Sequence, residues 1–419
     1  MLKPCLTYKM LIMRSLGNIA VLTCLLLVFV NIDLKAQNHP RCFAQVFHQQ
    51  YLQEQYPESD HSEDKHTDFI DFRNTHRIPV VFHVVYQNDD ENISNEQIYA
   101  QLDRLNQGFN SLYRNEIPRV FQSVAATANI TFCLATVQPN GESTTGITRT
   151  STDQSRIGNP KTQAIKYNRL EGKDAWDTRE YINIWIGHIG QDVYGYATFP
   201  DAAGKDFDGI VIDPKYFGNL PSPLLTAPFD MGKTLIHEMG HYLGLCHLSG
   251  CKIASCKEDD GMKDTPWQSV SYSGPECPTH PQISCQSEDM FMNYMSLAPD
   301  PCLWTFTKDQ VNRMQSVLAN ERASLSTNSI CKNSDLNELS KKIHLVSYVE
   351  DGTILIRIDR PLSEDAFIHL YDISGKLIYT SHLKDRYIVK LNRPLQPGIY
   401  ILYFYAQNQQ FYKKVMITQ

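Results

Sequence analysis

Basic stripes and long apolar runs are scarce in this 419-residue sequence, and its last part lacks cysteine. Charges of both signs are dispersed and the formal net charge is −7, so nucleic acid is not expected as a partner. Beyond the N-terminal segment no apolar run reaches the length that spans a bilayer, so no permanent membrane span is expected. Residues 340–419 hold neither cysteine nor a cluster of metal-binding side chains. The chemistry of the protein should therefore lie upstream of them.

The N-terminus is typical of an export signal. Basic residues precede the apolar run 19–30, and Ala36 fits the last position before a cleavage site. We therefore predict a signal peptide over residues 1–36 and a secreted or cell-surface protein. Cys5 and Cys24 fall within it, which leaves nine of the 11 cysteines. An exported protein with that many cysteines should form disulfide bonds, and an odd number leaves at least one unpaired within the chain.

The segment from His237 to His247 fits the pattern H-E-x-x-H-x-x-G-x-x-H. His237 and His241 are four residues apart and would lie on one face of a helix, where one ion can bind both imidazoles. Gly244 tolerates the positive φ of a sharp turn, which would return His247 as a third ligand. Three histidines leave one coordination position open, the arrangement of a catalytic zinc. Glu238 would then serve as the general base.

The competing interpretation is a buried helix whose three histidines are only hydrogen-bonded core residues. The short pattern H-E-x-x-H arises by chance, but the extension fixes a further glycine and histidine. The extended pattern therefore favours a metal site.

Strand and helix patterns precede this motif. The β-branched and aromatic run 78–86 predicts a buried strand, and Ser94 with Gln97 predicts a capping box at the start of a helix. Asp230 is the predicted N-cap of the helix that carries the motif. Three more strands are predicted at 130–137, 181–189 and 209–213, and an edge strand at 195–200. This order predicts an α/β (α+β) layer, a twisted mixed sheet with two long helices packed on it.

Regular patterns stop after the motif. Residues 249–301 are rich in loops and cysteine, so disulfides should replace part of a hydrophobic core there. A helix predicted over 308–320 closes the domain. From about residue 343, short alternating runs separated by turn signals predict a small all-β sandwich. We expect a packing or targeting role for this sandwich.

The extended motif is that of the metzincin metalloproteases, which also have a methionine-containing turn below the metal. Residues 290–295 resemble that turn, with Met295 as the methionine. More specifically, the chain resembles the pappalysin family in an ordered set of stretches: 78–86, 93–110, 195–200, 237–247, 264–266, 290–295 and 302–307. The resemblance implies a zinc metalloprotease domain over residues 77–332, acting on protein or peptide substrates behind a propeptide at 37–76.

The resemblance also implies a disulfide pattern in the loop-rich part. The two family bonds would be Cys256–Cys285 and Cys277–Cys302, unless Cys251 takes the place of Cys256. Two further pairs, Cys246–Cys251 and Cys133–Cys331, are hypotheses.

Family members bind calcium in the loop before Asp-Thr-Pro. Residues 258–260 and Asp264 offer carboxylate oxygen for a hard cation. Asp260, Asp264 and Thr265 are therefore candidate calcium ligands. The alternative is a solvated acidic loop.

Two further residues are assigned roles by the resemblance. A propeptide cysteine can silence such zymogens, and Arg41-Cys42 resembles that feature, because a Cys42 thiolate is able to occupy the open zinc position. An intermolecular disulfide is the competing interpretation. In arginine-preferring members an aspartate at the position of Asp300 lines the pocket for the residue after the cut bond. This implies cleavage on the N-terminal side of Arg, with Lys second, unless Asp300 is a rim-exposed loop residue.

One position departs from the family. A tyrosine usually stands two residues after the turn methionine and donates to the oxyanion, whereas this chain has Leu297. Loss of one such donor can cost about 10²–10³ in rate. A second hypothesis is therefore a surface binding or adhesion protein with a structural zinc. Glu238 argues against it, since a structural site needs no base.

The C-terminal region resembles the sorting domains of the type IX secretion system. The resemblance is carried by residues 370–376, 395–400 and 413–417. It implies a sorting domain over residues 340–419 and secretion machinery as a partner.

Overall fold

The computed structural model describes most of the chain after the predicted signal peptide. The described residues are 42–55, 76–190, 192–220, 222–251, 254–326, 345–350, 353–358, 366–382, 388–390, 395–406 and 409–417. The predicted signal peptide, Arg41 and Cys331 lie outside them.

The described elements are four α-helices and fifteen strands. The helices are α1 (Ala44–Gln55), α2 (Asn95–Asn110), α3 (Lys233–Tyr242) and α4 (Lys308–Ala319). The first eight strands are β1 (His76–Tyr86), β2 (Ala125–Ala126), β3 (Ile130–Leu134), β4 (Ile147–Ser151), β5 (Ile182–Ile186), β6 (Gly195–Ala197), β7 (Ile210–Ile212) and β8 (Phe306–Thr307). The others are β9 (Leu345–Glu350), β10 (Thr353–Ile358), β11 (Phe367–Asp372), β12 (Leu377–His382), β13 (Ile388–Lys390), β14 (Gly398–Ala406) and β15 (Gln409–Ile417). Short 3₁₀ helices lie at Arg114–Glu116, Arg119–Phe121, Ala164–Lys166, Asn168–Leu170, Pro200–Ala202, Pro214–Tyr216, Asp300–Cys302 and Ala323–Ser326.

The main sheet is mixed, as the sequence predicted. Its order is β3-β1-β5-β7-β6, with β4 also paired to β1. β3, β4 and β5 pair with β1 in parallel, as β7 does with β5. β6 is antiparallel to β7 and forms the edge. Pro200, which begins a 3₁₀ helix, makes this edge strand shorter than predicted.

Both faces of the main sheet are buried, which explains why β1 and β5 are apolar almost throughout. Ile184 and Ile186 point to the face covered by α2 and α3, where they join the largest core cluster. Trp185 points to the opposite face and belongs to a second cluster with Val211 and Tyr196. Alternating residues of a strand point to opposite faces, so two cores flank one sheet.

Helix α2 begins as the sequence predicted, with Ser94 accepting the Gln97 amide. The reciprocal half of the predicted capping box is not formed. The Gln97 side chain instead donates to Phe217 O and accepts from Leu220 N in the loop after β7. The predicted N-cap of α3 was also wrong, since Gly232, not Asp230, occupies that position.

The loop-rich part is cross-linked rather than paired into a sheet. Disulfide bonds join Cys256 to Cys285 and Cys277 to Cys302, the pairs that the resemblance implied, and Cys246 to Cys251, the pair that was a further hypothesis. Cys133 is also disulfide-bonded.

The C-terminal strands form two antiparallel sheets. Their orders are β13-β10-β9 and β12-β11-β14-β15. Alternate residues of β11 and β14, among them Ile368, Leu370 and Leu402, build a separate apolar cluster. This is the small all-β sandwich that the sequence predicted.

Candidate metal centre

Helix α3 carries two histidines, and a carboxylate from a distant loop caps it. Asp300 Oδ2 accepts the amides of Met231 at 2.9 Å and Lys233 at 3.2 Å. A carboxylate is favourable at a helix N-terminus, where amides lack intrahelical partners. Every residue of α3 is buried, so the helix is held firmly against the sheet.

Three imidazoles converge below the end of α3. The Nε2 atoms of His237, His241 and His247 are 3.1 Å apart in each of the three pairs. Gly244 has φ 86°, the left-handed turn that returns the chain to bring His247 into place. Ligands about 2.0–2.1 Å from one tetrahedral zinc lie roughly 3.3 Å apart, so the donor set fits that ion.

The second nitrogens of two histidines fix their tautomers. His237 Nδ1 donates to Tyr294 O and His241 Nδ1 donates to Leu245 O, each at 2.7 Å. Since a carbonyl only accepts, Nδ1 carries the proton and Nε2 presents its lone pair. Burial lowers the pKa of His241 to about 4, which also keeps this ring neutral.

Met295 lies directly beneath this helix. Gly240 sits one residue before His241, and a β-carbon there would collide with the Met295 sulfur. Tyr294 O holds the His237 ring from the same turn. The residues at 294–295 therefore support the metal centre from below.

Glu238 is buried beside the histidines and under the edge strand. A β-carbon at Gly195 would lie 3.1 Å from Glu238 Cγ. The absence of a side chain at Gly195 thus leaves room for the carboxylate between β6 and α3.

Cys42 completes the group. Its Sγ and the ligand nitrogens of His237, His241 and His247 all lie within 4.8 Å of one another. Cys42 is present as a buried thiol. It forms a parallel bridge with Gly195, and Phe43 N donates to Gly195 O at 3.2 Å. The predicted propeptide therefore runs beside the edge strand at the metal centre.

The predicted calcium ligands lie in one loop, where hydrogen bonds hold them in place. Thr265 Oγ1 donates to Asp260 Oδ1 at 2.6 Å, and Asp264 Oδ2 accepts the Asp309 amide at 3.0 Å. Among the described residues, the group of Cys42 and the three histidines is the one place where three or more such ligands converge. Burial nevertheless raises the pKa of Asp260 to about 7.

Asp300 and Leu297 follow Met295. Asp300 is fully buried, so it is not a rim residue, and one of its oxygens serves the cap of α3. Leu297 packs against the cluster that contains Cys42, and its amide donates to Ser271 O. Its apolar side chain offers no hydrogen-bond donor to replace the family tyrosine.

A buried ion pair lies beside the site and was not predicted from the sequence. Arg322 binds Asp208 with two hydrogen bonds, of 2.5 and 2.9 Å, and also donates to Tyr242 O and Phe199 O. It therefore ties the residue after His241 to the end of the edge strand. Its partners lie 80–123 residues away in the chain, and no local pattern signals such a pair.

Comparisons with known proteins show which family the chain belongs to. A family model described as pregnancy-associated plasma protein-A matches residues 166–319, and one described as secretion system C-terminal sorting domain matches residues 350–418. A promirolysin variant from Tannerella forsythia is 40% identical over 61% of this chain and 85% of that chain, with a TM-score of 0.58. The chain belongs to the pappalysin family of metalloproteases.

Further proteases are also similar to this chain. Mature mirolysin of Tannerella forsythia, solved with a cleaved peptide, is 39% identical over 61% of this chain and 96% of that chain, with a TM-score of 0.57. An extracellular metalloprotease of Arthroderma gypseum is 38% identical over 151 residues, 34% of this chain. The chain spans about half, 48%, of that relative's length. As a pappalysin with a type IX sorting domain, the protein is a secreted or cell-surface metalloendopeptidase. In the part of the chain that the structure describes, no helix is long and apolar enough to cross a membrane.

Proposed function

We propose that the protein is made as a zymogen and hydrolyses peptide bonds at a zinc held by His237, His241 and His247. The observation that carries this proposal is the convergence of three Nε2 atoms at 3.1 Å beside a buried glutamate on the same helix. A structural site has no use for that glutamate, whereas hydrolysis needs a base.

Each residue of the site has a defined task. When bound, zinc supplies Lewis-acid polarisation of the scissile carbonyl and makes water more acidic. Glu238 takes the proton of the attacking water and passes it to the leaving amine. The edge of β6 offers backbone groups with which a substrate can pair as an added strand.

The same edge supports the zymogen proposal. Phe43 N already uses Gly195 O, and the Cys42 thiol lies among the ligand nitrogens. A thiolate is a strong zinc ligand. The segment at 42–43 would therefore exclude both substrate and the attacking water until it is removed.

Asp300 supports the proposed preference for Arg, and then Lys, after the cut bond. It is buried close to the start of α3 and uses Oδ2 for the helix cap. A buried carboxylate binds a guanidinium with charge-assisted hydrogen bonds. Asp300→Asn, which keeps the size of the side chain, is expected to lower cleavage before Arg more than before apolar residues.

A calcium ion in the loop at 258–265 is also proposed. Its support is that Asp260 Oδ2 and Asp264 Oδ1 are buried without a hydrogen-bond partner among the described residues. Carboxylate oxygens of this kind suit Ca²⁺. Calcium is expected to raise the melting temperature of the zinc-loaded protein, and Asp260→Asn to abolish that increase.

The decisive experiment uses a peptide library and mass spectrometry. The zinc-loaded protein, after removal of its N-terminal segment, should cleave peptides mainly before Arg, and Glu238→Ala should not. If neither protein cleaves any peptide although both retain zinc, the binding or adhesion hypothesis is favoured instead.

The zymogen proposal has its own test in the unprocessed chain. Cys42→Ala should give activity before processing, whereas Gln50→Ala, on the exposed side of α1, should leave the chain silent. A Cys42→Ala chain as inactive as its parent would show that the thiol is not the inhibitor.

A further inference from the structure

Helix α1 packs mainly on an aromatic surface that lies beside the metal centre. It begins two residues after Cys42 and buries Ala44 and Phe47. The Phe47 ring lies 5.7 Å from Tyr196, and the Tyr51 ring lies 5.6 Å from Phe207, between centroids. Phe47 and Tyr51 are four residues apart, so they share one face of the helix.

Most of the contact surface is on the far side of the main sheet, while at its near end Phe199, on which His48 stacks, also lies 5.3 Å from the His241 ring between centroids. At Gly195 a β-carbon would point towards Glu238 and α3. The next residue, Tyr196, must point to the other face, and it lies there in the cluster with Trp185. Cys42 bridges Gly195 at the sheet edge, and Cys42 and Ala44 already belong to this cluster.

A buried lysine lies at the centre of this surface. Lys166 is fully buried, and its Nζ donates to Phe207 O at 2.7 Å. The Nζ atom is 5.4–5.9 Å from the centroids of four rings: Phe47, Trp185, Tyr196 and Phe207. An ammonium group is attracted to such ring faces. Three of the four rings belong to the protease domain, and only Phe47 comes from α1.

Polar contacts at the two sides of α1 fix its register. His48 stacks on Phe199 at 4.4 Å, and its Nδ1 lies 3.4 Å from Asp201. Gln45 Nε2 donates to Gly250 O at 3.0 Å. None of these contacts involves the Cys42 thiol, and residues 42–55 contribute nothing to the largest core cluster.

We propose that the surface formed by Lys166, Tyr196, Phe199, Asp201 and Phe207 is a peptide-binding exosite of the processed enzyme, and that its occupant is the chain's own segment 43–55 after cutting. This inference rests on the proposed removal of the N-terminal segment. The exosite holds α1 independently of the thiol. A cut between residues 55 and 76 therefore leaves the segment seated, and the cleft opens only when α1 dissociates.

The test is binding of a labelled synthetic peptide, residues 43–55, which lacks Cys42. The processed, zinc-loaded protein carries Glu238→Ala so that it cannot cut the peptide. Fluorescence anisotropy should show saturable binding. Phe47→Ala in the peptide should weaken it about 10-fold or more, since a buried aromatic side chain contributes at least ~1.5 kcal/mol. Gln50→Ala, on the exposed side of α1, is the matched control and should change binding less than about twofold.

A second measurement uses the full chain. Amide hydrogen exchange over residues 44–55 should stay slow in Cys42→Ala and become fast in Cys42→Ala with Phe47→Ala. On the enzyme side, Phe207→Ala should weaken peptide binding as Phe47→Ala does, with zinc content confirming its fold.

Two results would overturn the exosite. One is a 43–55 peptide that fails to bind although a 41–55 peptide with the thiol does. The other is binding that tolerates both Phe47→Ala and Phe207→Ala. Peptide binding without proteolysis by the unsubstituted protein would instead refute the proposed function and leave the exosite in place.

Discussion

Two regions of the protease domain meet at the metal centre and are held together in different ways. The region before residue 249 buries strands and helices in two apolar clusters on the faces of one sheet, and residues 290–298 join the larger of these clusters. Residues 254–299, as far as the structure describes them, form no helix or strand and are cross-linked by disulfides. The first region supplies the three converging histidines and Glu238, and the second supplies Met295, which packs under Gly240. The comparison teaches that one site can combine an apolar scaffold with a covalent one.

Replacement of isoleucine by alanine should give the largest difference in stability between the two regions. Ile184 is fully buried in the main sheet, whereas Ile283 in the loop region is 66% exposed. Ile184→Ala should cost about 2–5 kcal/mol because it leaves a cavity, and Ile283→Ala should cost less than about 0.5 kcal/mol. Denaturant unfolding measures both. Equal costs would contradict the difference in burial between the two positions.

Removing a cross-link should affect the loop region selectively. Cys256 and Cys285 are 29 residues apart, and a bond closing such a loop contributes about 2–4 kcal/mol. In Cys256→Ser with Cys285→Ser, amide exchange should accelerate over residues 256–290 and remain slow in β1. The matched control is Cys246→Ser with Cys251→Ser, which opens a separation of only 5 residues and should have a smaller effect.

Acid should weaken the sheet region instead. Burial lowers the pKa of His83 to about 4, below its unfolded value of about 6.5. The unfolded chain therefore binds the proton first, and stability is lost as the pH falls from about 6.5 towards 4, by at most ~3 kcal/mol. The melting temperature should depend less steeply on pH over this range in His83→Gln than in the unsubstituted protein. An unchanged slope of melting temperature against pH would contradict the assignment of the effect to His83.

The junction of the two regions can be tested at Gly240. Gly240→Ala places a methyl group against the Met295 sulfur and should destabilise the protein by about 1–3 kcal/mol through overpacking. Met295→Ala removes the opposing atoms, so the double variant should be less destabilised than the sum of the two. If the two losses of stability are additive, residues 240 and 295 do not contact one another in a way that affects stability.

Local sequence patterns predicted what depends on local spacing. The fourfold spacing of His237 and His241, with a glycine before His247, indicated converging nitrogens, and the structure brings them together. The strand β1 and the Ser94 cap were likewise visible, because periodicity and capping act within a few residues.

Long-range contacts account for what the sequence did not reveal. Asp300 caps α3 from 67 and 69 residues away, so the nearby Asp230 was chosen wrongly. The Arg322–Asp208 pair spans 114 residues. A lysine in a sequence is ordinarily expected at the surface, since lysine is almost never fully buried unless paired; only the folded chain supplies the aromatic neighbours of Lys166.

The buried amine of Lys166 has a practical consequence. While α1 is seated, four rings and a carbonyl shield it. Dissociation of α1 removes the Phe47 ring and makes the amine accessible to acylating reagents. Burial lowers the pKa of Lys166 to about 7 while α1 is seated, so shielding by the helix, rather than protonation alone, keeps the reagent from the amine. The labelled fraction of this one lysine, read by mass spectrometry, would report how many molecules of a preparation have lost their N-terminal segment.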